Sequence, residues 1–394
     1  MKITSAKEDK CILAYFGDSW LVLDCKTGSV AAKPTGTDEE SAISCLAVSG
    51  TQHMVCIRDD KTIQLWNMDS GNLVSSSSVP KRASVVAFAK DASRIVLGDK
   101  SGDIIGIRTD ALEKGEFKLL GGHFSMVLDM CLSNDFSHLV TAERDEKIRV
   151  SHFPKTYCIE SFCLGHGEYV SKLHIPEFNP KLCVSGGGDT FLILWDFVAG
   201  RELDRFELPK IDPETDVAIK DQIYSSVMDI QSCAHSKTIA VALEKRPFIL
   251  LLEVTDDMKL RFKQKISVGR DVLSLAFDCD SNLWVSLGST SVTAADSLHS
   301  DKRLLLSRYT LEGTYAELDP EDKVVKKIHE NEFRTCSEIE YYEISQMGKQ
   351  AMKKKFDEMV DRKRKPKSQK TGQAEKQQKV DLEQKGGQAE DIEQ

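Results

Sequence analysis

A seven-residue frame that runs from an aspartate to a large apolar residue recurs along the chain. It is complete from Asp60 to Trp66 and from Asp189 to Trp195, and it returns from Asp145 to Ser151 with serine in place of tryptophan. A weaker copy ends at Ile107, so the frames end at positions 66, 107, 151 and 195, in steps of 41, 44 and 44 residues. A fixed period of this length is typical of repeat architectures whose units bury their apolar surfaces against each other.

The same period extends beyond these four frames and gives seven units in all. Counting back from Trp66 reaches the strand-like run 20–23, and counting forward reaches two longer units at 248–252 and 304–309. Each unit contains short apolar segments separated by Gly, Asp and Ser turns, which is the pattern of a four-stranded propeller blade. The sequence therefore predicts an all-β, seven-bladed propeller over residues 1–330.

Two neighbouring units carry side chains that match one repeat family, the WD40 repeats. In that family a His, a Ser or Thr, the turn Asp and the Trp form a hydrogen-bonded set that holds the strands of a blade together. The complete set here is His166, Ser185, Asp189 and Trp195. The preceding unit carries three members, His123, Thr141 and Asp145. The chain thus resembles a WD40 propeller, and the resemblance implies a structural rather than a catalytic role for both histidines.

The N-terminus leaves the closure of the ring open. Most WD40 propellers take the outermost strand of the last blade from the N-terminus, but here strands are predicted from Cys11 onwards. Residues 1–6 can supply at most one short inner strand. Two alternatives follow: a closing strand from the C-terminal side, with 323–328 as the candidate, or an open sheet edge, which proteins normally avoid.

Beyond residue 330 the composition changes. Residues 331–360 are predicted to contain a C-terminal helix, and 361–394 to form a basic segment followed by a low-complexity, disordered tail. The basic run consists of Arg362, Lys363, Arg364, Lys365 and Lys367. We interpret it as a nuclear import signal, with RNA phosphate contact or a solvated tail as alternatives. The expected localisation is the nucleus, with the cytoplasm as a second compartment.

Composition restricts the classes of function. The formal net charge of −9 argues against a surface coated in basic charge for nucleic acid. No apolar run approaches the ~20 residues of a membrane span, and the N-terminus has no signal-peptide pattern. The 11 cysteines are scattered and include no CxxC pair, so reduced thiols are expected and a structural zinc is not. No nucleophile–base pair or phosphate loop emerges, so we expect no catalytic residue, bound cofactor or metal.

The frame of the fourth unit is unusually charged, with six charged residues among the ten from Ala142 to Ser151. Asp145 is expected to hold the turn, and its charged neighbours to project from the rim of the propeller as a solvated turn or as contacts to a partner. Arg149 differs because it lies in the body of a strand, where blades pack and a charge needs a partner. That partner is expected to be an acidic residue on a neighbouring turn or a docked protein.

Four segments in the middle of the chain are similar to a more specific family. They are residues 99–103, 122–129, 144–151 and 159–166. They resemble the WD-repeat, non-catalytic subunits of eukaryotic tRNA guanine-N7 methyltransferase, and the run Arg-Asp-Glu-Lys-Ile-Arg-Val-Ser is the most specific match. The resemblance covers blades three to five, and the flanks agree in architecture more than in residues.

This resemblance implies a scaffold that binds the catalytic methyltransferase subunit in a heterodimer, for formation of 7-methylguanosine in the tRNA variable loop. It implies that S-adenosylmethionine and the catalytic residues belong to that partner. The implied partner-binding residues are Arg144, Glu146, Lys147, Arg149, Lys100, Phe124 and Glu168. Direct tRNA contact is a separate question, for which Lys81, Arg82 and residues 353–367 are candidates because phosphate binding needs accessible positive charge.

Two other functions are alternatives. A general interaction propeller, such as a substrate receptor of a cullin ubiquitin ligase, usually carries an arginine shortly after the Trp-Asp pair, and none follows Trp195 and Asp196 at that spacing. An enzyme built on a propeller would need carboxylates or histidines that converge on the central channel, and the sequence gives no indication of such a cluster.

Overall fold

Seven antiparallel sheets of four strands each form a ring, and every sheet uses strands that are consecutive in the chain. This computed structural model describes residues 2–6, 10–35, 41–50, 52–89, 92–208, 226–288, 306–312 and 314–317. The first strand of each blade lies innermost, since it contacts the first strand of at least one neighbouring blade. The prediction of an all-β, seven-bladed propeller is confirmed.

The first three blades have the following strands. Blade one contains β1 (Lys2–Ala6), β2 (Cys11–Phe16), β3 (Ser19–Asp24) and β4 (Val30–Ala32). Blade two contains β5 (Ile43–Val48), β6 (His53–Arg58), β7 (Thr62–Asn67) and β8 (Leu73–Ser78). Blade three contains β9 (Ala83–Phe88), β10 (Arg94–Asp99), β11 (Asp103–Arg108) and β12 (Lys118–Gly122), with a 3-10 helix at Thr109–Lys114.

The last four blades have the following strands. Blade four contains β13 (Val127–Leu132), β14 (His138–Glu143), β15 (Ile148–His152) and β16 (Ile159–Cys163). Blade five contains β17 (Val170–His174), β18 (Leu182–Gly187), β19 (Phe191–Asp196) and β20 (Arg201–Glu207). Blade six contains β21 (Val227–Cys233), β22 (Thr238–Leu243), β23 (Phe248–Val254) and β24 (Leu260–Ser267). Blade seven contains β25 (Val272–Phe277), β26 (Leu283–Leu287), β27 (Leu306–Glu312) and β28 (Thr314–Glu317).

The middle strands of the blades are apolar on both faces because each sheet is covered on both sides. Every residue of β18 and of β22 is buried, whereas the outermost strand β8 is mostly exposed. In the seam between blades four and five, Val140 and Val150 pack against Ile193 and Trp195. This two-sided burial explains why the sequence has short apolar runs in place of strict alternation.

The ring closes between blades one and seven without exchange of a strand. β1 is the inner strand of blade one and packs against β25, where Ser274 Oγ donates a hydrogen bond to the Ile3 carbonyl at 2.9 Å. β28 (Thr314–Glu317) pairs with β27 as the outermost strand of blade seven. The last blade therefore takes its closing strand from the C-terminal side, which was one of the two alternatives. The candidate segment 323–328 lies outside the described residues.

The remaining predictions for the C-terminal part also lie outside the described residues. They concern the end of the propeller at residue 330, the helix within 331–360, and the basic and low-complexity tail over 361–394. Within the part of the chain that the structure describes, no helix has the length and apolarity that crossing a membrane requires.

Buried polar side chains join the inner strands of neighbouring blades. One repeat position carries Asp129, Lys172, Asp229 and Ser274 in blades four to seven. Asp129 accepts a hydrogen bond from the Leu173 amide of blade five at 2.9 Å. Each aspartate therefore binds the backbone of the blade that follows it, since Asp229 accepts bonds from Ser274 Oγ and the Leu275 amide at 3.0 and 2.8 Å.

Blade five contains a continuous chain of hydrogen bonds. The Trp195 indole donates to Ser185 Oγ at 2.7 Å, and Ser185 Oγ lies 2.7 Å from His166 Nε2. His166 Nδ1 lies 2.8 Å from Asp189 Oδ2. A carboxylate can only accept, so His166 donates from Nδ1 and accepts from Ser185 at Nε2. The four side chains thus satisfy each other, as the resemblance to WD40 repeats implies.

Asp229→Ala is expected to lower the free energy of unfolding by about 3 kcal/mol or more, because it leaves the Leu275 amide buried without an acceptor and removes charge beside Lys172. Guanidinium denaturation followed by circular dichroism measures the change. Asp256→Ala is the matched control, since the Asp256 side chain is exposed on blade six. Equal unfolding midpoints for the two variants would contradict this role of Asp229.

Asp189 links stability to pH. Burial raises the pKa of this carboxyl, but bonds from His166, Gly167 and Phe191 together lower it below its ordinary value of 3.8. A depressed folded-state pKa contributes stability that is present above about pH 4 and is lost as pH falls through the folded value. Asp189→Asn should therefore lose stability less steeply than the wild type on acidification from pH 5 towards about pH 2. Urea unfolding across this range tests the difference, and parallel curves would contradict it.

Candidate functional site

The charged turn of blade four joins β14 to β15. Glu146 has a φ of 72°, in the left-handed region that residues with side chains rarely adopt. The equivalent residues of blades two and three, Lys61 and Gly102, have φ values of 74° and 99°. The three turns therefore share one backbone conformation, and blade four differs from its neighbours by the charges it presents.

The hydrogen bonds of blade four differ from those of blade five. His123 Nε2 lies 2.8 Å from Thr141 Oγ1, as the matching positions imply. His123 Nδ1 faces Glu143 Oε2 at 3.2 Å, without the geometry of a hydrogen bond. Asp145, which was expected to complete the set, is half-exposed and accepts a bond from Ser125 Oγ at 2.9 Å.

The reason for this difference is the residue at the end of the second strand. Blade five has Gly187 there, and its position leaves no room for a side chain because an added Cβ would lie 1.8 Å from the Tyr169 carbonyl oxygen. Blade four has Glu143 at the same register position, buried and directed at His123. The expected pairing of His123 with Asp145 is therefore wrong, and Glu143 takes the place of Asp145.

Arg149 lies in the seam between blades three and four. Its blade-five equivalent, Ile193, faces blade four, and Arg149 likewise faces blade three, where Nη1 donates to the Gly122 carbonyl at 2.8 Å. Burial lowers the pKa of Arg149, and the charge of Glu143 opposes that shift. Its Nε is buried and has no hydrogen-bond partner among the described residues. The partner is thus a backbone carbonyl rather than the acidic turn residue that the sequence suggested, and the guanidinium keeps unused donors.

The other predicted rim residues lie in the turns of blades three and four and in the loop that leads to blade five. Lys147 Nζ lies 3.7 Å from Glu143 Oε1, and Arg144 Nε lies 3.6 Å from Asp145 Oδ1, both beyond hydrogen-bond distance. Lys100 is exposed in the corresponding turn of blade three, and Glu168 is half-buried in the loop before β17. Glu146 is half-buried in the turn itself.

Exposed apolar side chains flank Arg149. Phe124 is fully exposed, two residues beyond the Gly122 carbonyl that binds Arg149. Phe162 is opposite Arg149 in the strand register, and Leu164 lies two residues further on, with exposures of 42% and 64%. Exposed aromatic and aliphatic groups beside a charged residue are typical of a surface that another protein covers. We call Phe124, Lys147, Arg149, Phe162 and Leu164 the blade-four rim.

Phe162 and Leu164 were missed in the sequence. The signal was present, because β16 ends in Phe162 and Cys163 and is followed by Leu164, whereas the outermost strand β8 ends in a run of serines. The exposure of Phe162 depends on the strand register, which places it opposite Arg149, and the repeat pattern does not reveal that pairing.

The two basic residues proposed for tRNA contact are already paired. Lys81 Nζ lies 2.6 Å from Asp103 Oδ2, and Arg82 Nη2 lies 3.2 Å from Asp59 Oδ1. Adjacent carboxylates reduce the attraction of these cations for phosphate. The other candidates for RNA contact or nuclear import, within 353–367, lie outside the described residues.

Charged groups do converge on the central channel, but they act in folding. Asp229 uses both carboxylate oxygens, one within its own blade and one on the next blade. His174 lies 2.8 Å from Ser232 Oγ, and burial lowers its pKa to about 4, which keeps it neutral at pH 7. These contacts leave the groups engaged between blades and do not form the arrangement of nucleophile and base that catalysis needs.

Comparison with known proteins identifies a matching family model and several proteins of similar sequence. The family model described as the tRNA methyltransferase TRM82 WD40 domain matches residues 2–114 and 107–307. The Xenopus laevis protein named tRNA (guanine-N(7)-)-methyltransferase non-catalytic subunit wdr4 is 32% identical over 275 residues, covering 68% of this chain and 69% of that protein. The corresponding TRM82 subunit of Debaryomyces hansenii is 29% identical over 264 residues, covering 61% and 59%.

Solved structures support the same fold. The crystal structure of RRP9 WD40 repeats has a TM-score of 0.60 at 18% identity, covering 73% of this chain and 88% of that one. A chain of the mitotic checkpoint complex has a TM-score of 0.61 at 15% identity, covering 73% and 86%. At these identities the likeness concerns the WD40 fold alone, whereas the sequence match is specific: the chain belongs to the family of the tRNA methyltransferase TRM82 WD40 domain.

Proposed function

We propose that this protein is the non-catalytic subunit of a tRNA (guanine-N7)-methyltransferase, and that it binds and stabilises the catalytic subunit. Family membership supports this function over a cullin-ligase receptor, because the relatives described above carry the name of that subunit. The protein itself performs no chemistry. We further propose a heterodimer in which S-adenosylmethionine and the catalytic residues belong to the partner.

The single observation that supports the proposed interface is the incomplete hydrogen bonding of Arg149. Its guanidinium is partly desolvated, its Nε has no partner among the described residues, and it makes one hydrogen bond, to a backbone carbonyl. Leaving a buried donor unpaired costs free energy, which a carboxylate or carbonyl of a docked protein would recover. An arginine at the centre of a desolvated contact is the type of residue that dominates binding energies.

The surroundings of Arg149 suit this role. Phe124, Phe162 and Leu164 offer apolar area that excludes water from the guanidinium once a partner covers it. Lys147 and Arg144 are held to carboxylates only at 3.7 and 3.6 Å, so they can exchange these loose ion pairs for charges on the partner. Complementary charges of this kind favour orientation and fast association.

We propose that tRNA binds to the complex mainly through the catalytic subunit. The ion pairs of Lys81 and Arg82 argue against these residues as principal phosphate contacts. A contribution from the basic residues at 362–367 belongs to the same proposal, together with nuclear localisation directed by that run.

Arg149→Leu is expected to weaken binding of the catalytic subunit by about 2 kcal/mol, roughly 30-fold in Kd, because the neutral side chain cannot pair across the interface. The level of 7-methylguanosine in tRNA should fall in cells that carry only this variant. Isothermal titration calorimetry with the purified catalytic subunit measures binding, and nucleoside mass spectrometry measures the modification.

Arg261→Leu is the matched control, because Arg261 is exposed on β24, the outermost strand of blade six. It should leave both measurements unchanged. An Arg149→Leu variant that has the wild-type circular dichroism spectrum and the wild-type affinity would remove the blade-four rim from the interface.

A further inference from the structure

A second cluster of side chains lies at the opposite end of blade four. His138 begins β14 and His152 ends β15, and the two residues are paired directly in the strand register. Glu160 is in the adjacent strand β16. The charged turn from Arg144 to Lys147 connects the other ends of β14 and β15, so this cluster is separate from the blade-four rim.

The three side chains bring potential metal ligands close together. His152 Nε2 lies 2.7 Å from Glu160 Oε2, and the ring centroids of His138 and His152 are 5.2 Å apart. One ligand atom from each residue lies within 4.8 Å of the other two. In a tetrahedral zinc site, Zn–N distances of about 2.0–2.1 Å place ligand atoms roughly 3.3 Å apart. Small rotations of these side chains would reach that spacing.

The hydrogen bonds behind His138 prepare it as a ligand. His138 Nδ1 lies 2.6 Å from Ser137 Oγ, which lies 2.8 and 2.7 Å from the two carboxylate oxygens of Asp135. A serine hydroxyl has one proton, and Asp135 is its ionised acceptor, since three hydrogen bonds lower the pKa of Asp135 to about 2. Ser137 therefore accepts the Nδ1 proton of His138, and the lone pair of Nε2 stays free. Orientation of a metal-binding histidine through its other nitrogen is the usual arrangement in metal sites.

We propose that His138, His152 and Glu160 bind a divalent transition-metal ion, with Zn²⁺ as the first candidate. Two imidazoles and one carboxylate favour Zn²⁺ and its neighbours in the first transition series over Mg²⁺ or Ca²⁺, which prefer oxygen ligands. Solvent completes the coordination, because His152 and Glu160 are partly exposed. The ion connects three strands at one end of blade four and requires no contact with the catalytic subunit.

The sequence predicts no metal site, because the usual signature of such a site is a pair of ligands close together in the chain. These ligands come from three strands, at positions 138, 152 and 160, and only the strand register brings them together. A search for His and acidic residues at the same end of consecutive predicted strands would have found them.

The test is calorimetric titration of ZnCl₂ into the chelator-treated full chain. We expect one equivalent bound with a micromolar or lower Kd, and at least a tenfold weaker Kd in His152→Ala and in Glu160→Gln. Asp135→Asn should weaken binding about tenfold without removing a ligand. His53→Ala, which alters a histidine of blade two, is the matched control and should bind as the wild type does.

Titration with Co²⁺ gives a spectroscopic readout of the same site. A nitrogen-ligated cobalt ion should show visible absorption in the wild type and not in a His138→Ala, His152→Ala double variant. Absence of Zn²⁺ binding by the wild type, or full binding by a folded double variant, would overturn the proposal. Affinity for the catalytic subunit should stay unchanged in His152→Ala, which separates this site from the proposed interface.

Discussion

Burial of both faces of each blade against its neighbours is the interaction on which the other features of this propeller depend. It requires apolar middle strands, and it makes every polar group in a seam costly unless that group is paired. Asp129 and Asp229 meet this requirement by binding backbone amides of the following blade. In blade five, the hydrogen-bonded set from Trp195 to Asp189 meets the same requirement within one sheet. The polar groups inside the ring thus connect strands, either between neighbouring blades or within one blade.

Arg149 meets this requirement only in part, because its Nε is buried and has no hydrogen-bond partner among the described residues. A residue that faces a neighbouring blade would normally be apolar, as Ile193 is in blade five. An arginine there bears a desolvation cost that its bond to Gly122 only partly offsets. Under the proposed function, a docked protein that also covers the exposed Phe124 and Phe162 would offset this cost.

The repeat period and the turn residues were sufficient to predict the number and composition of the blades, because both follow from local periodicity. The partner of His123 could not be predicted in this way. It depends on whether the end of the second strand carries a side chain, as Glu143 does and Gly187 does not. Exposure of Phe162 and the approach of His138 to His152 likewise depend on strand register and bulges. These features depend on contacts between strands, so they cannot be predicted by matching single positions to a repeat pattern.

The construction of blades one and seven has a consequence for biosynthesis. In a ring closed by an exchanged strand, the first residues to leave the ribosome wait unpaired until the last blade exists. Here β1 to β4 form one complete sheet and β25 to β28 another, so each ladder of backbone hydrogen bonds can form as soon as its own four strands emerge. The contacts between blades one and seven, such as the packing of Ile3 and Leu23 near Trp284, must wait until the last blade has been synthesised. Cotranslational folding of these sheets can therefore proceed blade by blade.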